Sequence, residues 1–209
     1  MDKETWLAER RLGVSGSDIS VLMGANPYKN VDDLILDKLG RSAPFLGNEY
    51  TRAGLILEPF VANGWAQRTN VEIEQGVFTK SNVNDRYIGT PDFIGKDFGL
   101  EIKTGSERVY SKGCPKYYEL QSRWYMMLME KPVWHLVACI VPKNRGLIGL
   151  DKGDKHLTDW VALQPHREFL FVRNLDIEAQ MMAKADWFLE KMDRLRSPER
   201  EPDWLRSSE

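Results

Sequence analysis

In the stretch GTPDFIGKDFGLEIKT, residues 89 to 104, Asp92 follows a proline, Glu101 comes nine positions later, and Lys103 stands one residue beyond Ile102. Side chains alternate across a strand, so Glu101 and Lys103 share one face and Leu100 and Ile102 take the other. A hairpin with its tip at Lys96 and Asp97 sets Phe93 opposite Leu100 and Asp92 opposite Glu101. Opposed Cβ atoms lie roughly 4.5–5.5 Å apart, and two carboxylates there repel unless a positive charge sits between them. A hard divalent cation fits: Mg²⁺, with Mn²⁺ as substitute, takes oxygen ligands, keeps several waters and often uses only one or two carboxylates. A lysine beside it can orient a water or offset charge on a phosphate. Pro91 is compatible, because a residue without an N–H is tolerated at a strand start. The plainer alternative is a solvated strand face, with Leu100 and Ile102 turned inward.

Two further polar residues emerge from apolar surroundings. Glu58, in GLILEPFVANG, has Gly54, Leu55, Val61 and Ala62 as its helical neighbours, unless Pro59 ends the helix and turns the acid outward as a peripheral or capping group. Gln121 has Tyr117, Tyr118, Trp124 and Tyr125 around it, and an amide among aromatics needs a polar partner, either a backbone group in the core or a site residue. His135, His156 and His166 share no ligand spacing and receive no role. The seven tryptophans fall at helical spacing and read mostly as core. The chain lacks a G-x-x-x-x-G-K-[ST] stretch, which excludes P-loop ATP-driven translocation.

The elements that must position these groups read as helices first. ETWLAERRLG and SGSDISVLMG are short helices, the second capped by Ser15 or Ser17 and stopped by Gly24; VDDLILDKLG ends at Gly40, and RAGLILEPFVANGWAQRTN is longer. From Val71 to Thr104 the pattern changes to three strands, VEIEQGVFTK, DRYIGTPDFIG and GLEIKTG. PKYYELQSRWYMMLMEK returns to helix, VWHLVACIVP and REFLFV are strands, and LDIEAQMMAKADWFLEKMDRL is a final helix. This predicts an α/β domain with a central sheet flanked by helices.

With 209 residues the chain suits one domain, 1–209, with 197–209 a loose tail. Hydrophobic residues at 42% and charged residues at 29% are ordinary for a globular chain and exclude disordered and membrane classes. No apolar run spans a bilayer and MDKETWLAERR has no signal core, so a cytoplasmic location is expected. Two cysteines, Cys114 and Cys139, cannot build a four-thiolate centre. The net charge of −2 excludes a uniformly basic nucleic-acid binder but not a segregated basic surface.

Pro91-Asp92 followed by Glu101-Ile102-Lys103 resembles the core of the PD-(D/E)xK nuclease superfamily, with its restriction-endonuclease-like central mixed sheet. In the same order, RRLGVSGSDISVLMG, RAGLILEPFVANG and YYELQSRWYMMLM resemble the other segments of the lambda exonuclease and YqaJ-type viral recombination nucleases, over roughly Trp6 to Pro142. The resemblance implies a Mg²⁺-dependent 5′-to-3′ exonuclease that digests linear double-stranded DNA from its ends and leaves 3′ overhangs for phage-type recombination. It implies metal held by Asp92, Glu101, the Ile102 carbonyl and Glu58, with Lys103 positioning the water and Gln121 supporting it. It places a 5′-phosphate pocket at Arg11 and Ser17, with Arg10 and Ser15 as competitors. A homotrimeric ring and a single-strand annealing protein as partner are implied too. A DNA endonuclease of the same superfamily and a catalytically silent DNA-binding module are the alternatives.

Overall fold

The computed structural model describes residues 2–43 and 47–197, so the tail expected at 197–209 lies, beyond Ser197, outside the described residues. Three short helices come first: α1 (Lys3–Leu12), α2 (Gly16–Leu22) and α3 (Val31–Lys38). Their starts are fixed by side-chain oxygens. Asp2 accepts from the Thr5 amide, and Asn30 accepts from the amides of Asp32 and Asp33. Ser15, not Ser17, is the residue before α2.

α4 (Glu49–Thr69) runs without a break through Pro59. A proline cannot donate to the carbonyl four residues back. That carbonyl belongs to Leu55, whose side chain is exposed, so the vacated acceptor lies on the wet side of the helix. Asn70, in the left-handed region at φ 54°, ends the helix.

The next stretch differs from the expected three strands. β1 (Glu74–Gln75), β2 (Thr79–Lys80), β3 (Ile88–Gly89) and β4 (Phe93–Ile94) are two residues each, and only β5 (Phe98–Gly105) is long. β1 is exposed at both positions, and so polar a segment gains little by extending its pairing. Then come α5 (Glu107–Tyr110), α6 (Lys116–Leu128), β6 (Val133–Ile140), a 3₁₀ turn (Arg145–Ile148), α7 (Asp154–Ala162), β7 (His166–Val172) and α8 (Leu175–Arg196). α7 was not expected from the sequence: the residue before it is Gly153, which supplies no capping side chain, yet Leu157 and Val161 are buried.

One mixed sheet of five strands, ordered β1-β4-β5-β6-β7, pairs β5 with β6 in parallel and its other neighbours antiparallel. A parallel pair must be joined by a crossover, here α5 and α6, and its strands are covered on both faces. Trp134, Leu136 and Ala138 of β6 join the core shared with α2, α6 and α8, while Val137 and Cys139 join the core shared with α4 and α7. Each fully buried large side chain contributes roughly 1.5–3 kcal/mol. The central mixed sheet flanked by helices is the architecture that the sequence predicts. Just past α6, Lys131 Nζ donates to the carbonyls of Gly95 at 3.0 Å and Lys96 at 2.7 Å, tying down the tip of the β4–β5 hairpin.

Candidate active site

Because β5 is covered on both faces, the strand face bearing Glu101 and Lys103 is not solvated. Leu100 and Ile102 face the α4 core, and Glu101 on the other side is 0% exposed, beneath α6. The hairpin register pairs Phe93 with Leu100 as the sequence predicts. Beyond that pair the ladder stops, and Asp92 Oδ2 accepts from the Ile102 amide at 2.8 Å. The same oxygen lies 4.0 Å from Lys103 Nζ, which donates to Glu101 Oε1 at 2.5 Å. Gln121 Nε2 donates to that same Glu101 oxygen at 2.8 Å and to the Tyr125 hydroxyl at 3.2 Å. The lysine and the amide thus converge on one carboxylate rather than on each other. The Tyr118 ring lies 5.4 Å from Lys103 Nζ, a cation–π contact.

Two glycines permit this closeness. A Cβ on Gly16 would sit 2.9 Å from the Tyr125 ring and 3.0 Å from Gln121 Cγ, and one on Gly89 would sit 2.7 Å from the Tyr125 ring. Helix α2 and strand β3 therefore press directly on the tyrosine and glutamine that flank Glu101.

The charges do not balance. Burial first, then the Asp92 charge, push Glu101 up to about 8, against the opposing pull of Lys103. Burial first, then Asp92, raise Glu58 to about 7, so Glu58 stands near enough to Asp92 and Lys103 to feel both. Burial also raises Asp92, opposed by Lys103 and by the Ile102 amide. Burial alone would lower Lys103, but Glu101 and Asp92 outweigh it and hold the ammonium well above the usual lysine range. Three acids thus face one cation, and Glu101 Oε2 is buried with no hydrogen-bond partner. An orphaned carboxylate oxygen in an acid-rich, poorly hydrated spot is what a hard dication would satisfy. Among the described residues no group of three or more His, Cys, Asp or Glu side chains is placed to hold a metal ion, so a cation here would need backbone oxygen or water to complete its shell.

Of the two arginines, Arg10 rather than Arg11 stands beside Ser17. Its guanidinium donates to Ser17 Oγ at 3.2 Å and stacks over Trp6 at 4.8 Å. Arg11 points elsewhere, its guanidinium beside Gly40. Neighbouring helical residues are a hundred degrees apart, so only one can face α2. Ser15 Oγ donates to Asp18 Oδ2 at 2.7 Å and is held by that bond, which leaves Ser17 as the hydroxyl beside Arg10. A small cleft of about 100 Å³ is lined by Trp6, Arg10, Ser15, Ser17, Thr90 and Tyr125. Sequence reasoning passed over Tyr118 and Tyr125 as members of the site; their signal was helical spacing, at i−3 and i+4 from Gln121.

Comparison with known proteins extends these observations. The YqaJ-like viral recombinase domain family matches residues 5–131. The chain is 35% identical over 141 residues to the uncharacterized protein YqaJ of Bacillus subtilis (strain 168), covering 60% of this chain and 42% of that protein. It is 28% identical over 153 residues to an uncharacterized protein of Acanthamoeba polyphaga mimivirus, covering 64% of this chain and 28% of that one. It therefore spans less than half the length of either relative. Among solved structures, LHK-Exo in complex with dAMP, an alkaline exonuclease from Laribacter hongkongensis, superposes with a TM-score of 0.68 at 17% identity, covering 91% of this chain and 93% of that one. A phage related exonuclease from Haemophilus somnus gives a TM-score of 0.67 at 17% identity, covering 90% and 96%. The chain belongs to the YqaJ-like viral recombinase family, and its fold is the nuclease fold of these exonucleases.

Proposed function

We propose that this family member is a Mg²⁺-dependent exonuclease that hydrolyses linear duplex DNA from the 5′ end and leaves 3′ single-stranded overhangs. The single observation that carries the reading is Glu101 Oε2, a buried, unpartnered carboxylate oxygen among Asp92, Glu58 and Lys103. Asp92, Glu101, the Ile102 carbonyl and Glu58 would hold the cation, which would supply Lewis acidity to water and phosphate. Water adds its oxygen to phosphorus, the bond from phosphorus to the leaving 3′ oxygen breaks, and the water's proton passes to solvent or to that oxygen.

Lys103 Nζ donates to Glu101 Oε1 at 2.5 Å and stands 4.0 Å from Asp92 Oδ2, beside the carboxylates that would hold the cation. It fixes the oxygen of the attacking water or steadies charge growing on the phosphate. Gln121 acts through Glu101 by holding Oε1 in place. Arg10 and Ser17 suit a terminal 5′-phosphate, since a guanidinium and a hydroxyl match phosphate oxygens. The trimeric ring and the annealing-protein partner implied by the resemblance belong to the same reading, and a monomer by sedimentation would remove the ring.

The test is digestion of linear duplex DNA with 5′-phosphate or 5′-hydroxyl ends in Mg²⁺, beside covalently closed circles. The expected result is phosphate-favoured loss of the 5′ strand with circles intact. Cleavage of circles would make the chain an endonuclease. No digestion of any DNA would make it a binding module.

A further inference from the structure

Helix α6 carries three residues at intervals of four. Tyr125 lines the small cleft of Arg10 and Ser17, Gln121 holds Glu101, and Tyr117 lines a second cleft at the helix's N-terminal end. At about 1.5 Å per residue these stations are about 6 Å apart and span about 12 Å. Nucleic acid rises about 3.4 Å per nucleotide, so that span covers three to four nucleotides of one strand.

The second cleft has a volume of about 350 Å³ and begins at Ser106, just past the end of β5, three residues beyond Lys103. Arg108 and Lys112 line it, both exposed, and among the described residues no Asp or Glu does. Its aromatic wall continues to the active site. Tyr28, 81% exposed, stands edge-on to Tyr117 with ring centroids 6.0 Å apart, Tyr117 lies 4.3 Å from Tyr118, and Tyr118 lies under Lys103. Base-sized aromatic faces interleaved with unopposed cations are the recognition surface of a nucleic-acid strand.

We propose that this cleft seats the nucleotides on the 3′ side of the scissile bond, with Tyr28 and Tyr117 against a base and Arg108 and Lys112 on the phosphates. The proposal rests on the exonuclease reading: with the terminal 5′-phosphate at Arg10 and the cut at Lys103, the uncut remainder of the strand leaves past Tyr118 into the cleft. None of these four residues touches the reacting groups, so they set where the strand lies rather than how it is cut.

Two measurements test it separately from the reading beneath it. In steady-state digestion of 5′-phosphorylated duplex DNA with Mg²⁺, Arg108→Gln with Lys112→Gln raises KM about tenfold with kcat within twofold. In binding of a phosphorothioate duplex, the same pair of changes lowers the slope of log affinity against log salt by about 1.8, at about 0.9 per lost phosphate contact. Tyr28→Ala raises KM several-fold and leaves the salt slope as it was. Unchanged KM and slope in all variants would overturn the proposal and leave the cleft to a protein partner or to solvent. Photocross-linking decides the matter even if wild-type protein digests no DNA. A 5′-phosphorylated phosphorothioate duplex with 5-iododeoxyuridine at its second to fourth nucleotides cross-links to Tyr28 or Tyr117 if the cleft holds the strand. Cross-links confined to other residues would refute it.

Discussion

Lys38 and Lys103 are both buried and both bonded to an acid, but the first has a full set of partners and the second does not. Lys38 Nζ donates to the carbonyls of Arg10 at 2.5 Å and Gly13 at 2.8 Å and to Asp18 Oδ2 at 2.6 Å, which uses all three of its hydrogens. Asp18 also accepts from the amide and hydroxyl of Ser15. Burial pushes Asp18 up, but Lys38 and Arg10 together pull it below its ordinary value. Around Lys103 three acids crowd one ammonium, two of them are raised to about 7 and about 8, and one oxygen is unpartnered. The first pair is one-to-one and holds α1, α2 and α3 together. The second sets three carboxyl groups with raised pKa values against one ammonium, the pattern of a functional-site candidate rather than of a balanced structural pair.

Changes at the two sites should therefore separate stability from activity. Asp92→Asn or Glu101→Gln is expected to reduce DNA digestion by about 10⁴-fold, or about 5.5 kcal/mol, with thermal stability little changed because the amide keeps an oxygen to accept the existing hydrogen bonds. A large drop in melting temperature would place Glu101 with Asp18 as a structural acid. Lys38→Met should do the reverse, costing about 3–5 kcal/mol in urea unfolding because Asp18 is left buried and unpaired. Asp18, depressed in the folded state, contributes stability above its unfolded pKa, and that contribution is lost as pH falls through the lower folded value.

Mg²⁺ sharpens the contrast. At a hundred times its dissociation constant it should stabilise the wild-type protein by about 2.7 kcal/mol and Glu101→Gln by much less, read as melting temperature against Mg²⁺ concentration. Calorimetric titration should show affinity rising between pH 6 and 8, at about 1.4 kcal/mol per pH unit for each proton displaced. The sign follows from Glu58 and Glu101, which retain protons up to about 7 and about 8 in the metal-free protein. The smallest effect is expected from Gly16→Ala, about 1 kcal/mol of strain where α2 meets Tyr125 and Gln121. It should lower kcat several-fold by shifting Gln121, without changing KM for DNA.

Much of the site could be read from the chain because strand geometry is periodic. Alternation alone put Glu101 and Lys103 on one face, and simple antiparallel counting paired Phe93 with Leu100. What lay across that face could not be read, because burial of Glu101 depends on α6, whose contact with β5 is a tertiary event. Arg10 and Arg11 differ by one residue, and the phase of α1 is set by Asp2 at its start and by packing that no pairwise spacing encodes. Pro59 left the continuity of the long helix open, and it runs on because the exposed Leu55 side of α4 can surrender a hydrogen bond to water. α7 went unread because its start carries no capping side chain.

The grip of Lys131 on the Gly95 and Lys96 carbonyls has a consequence for motion. It fastens the loop between Asp92 and Glu101 to the far end of the helix that bears Gln121. The segment carrying the two acids and the helix carrying the amide are therefore tied at two places, by Lys131 at the hairpin tip and by the Gln121–Glu101 bond. Under the proposed exonuclease reading, opening to admit or release a strand is expected in the surrounding surfaces rather than between Asp92, Glu101 and Gln121.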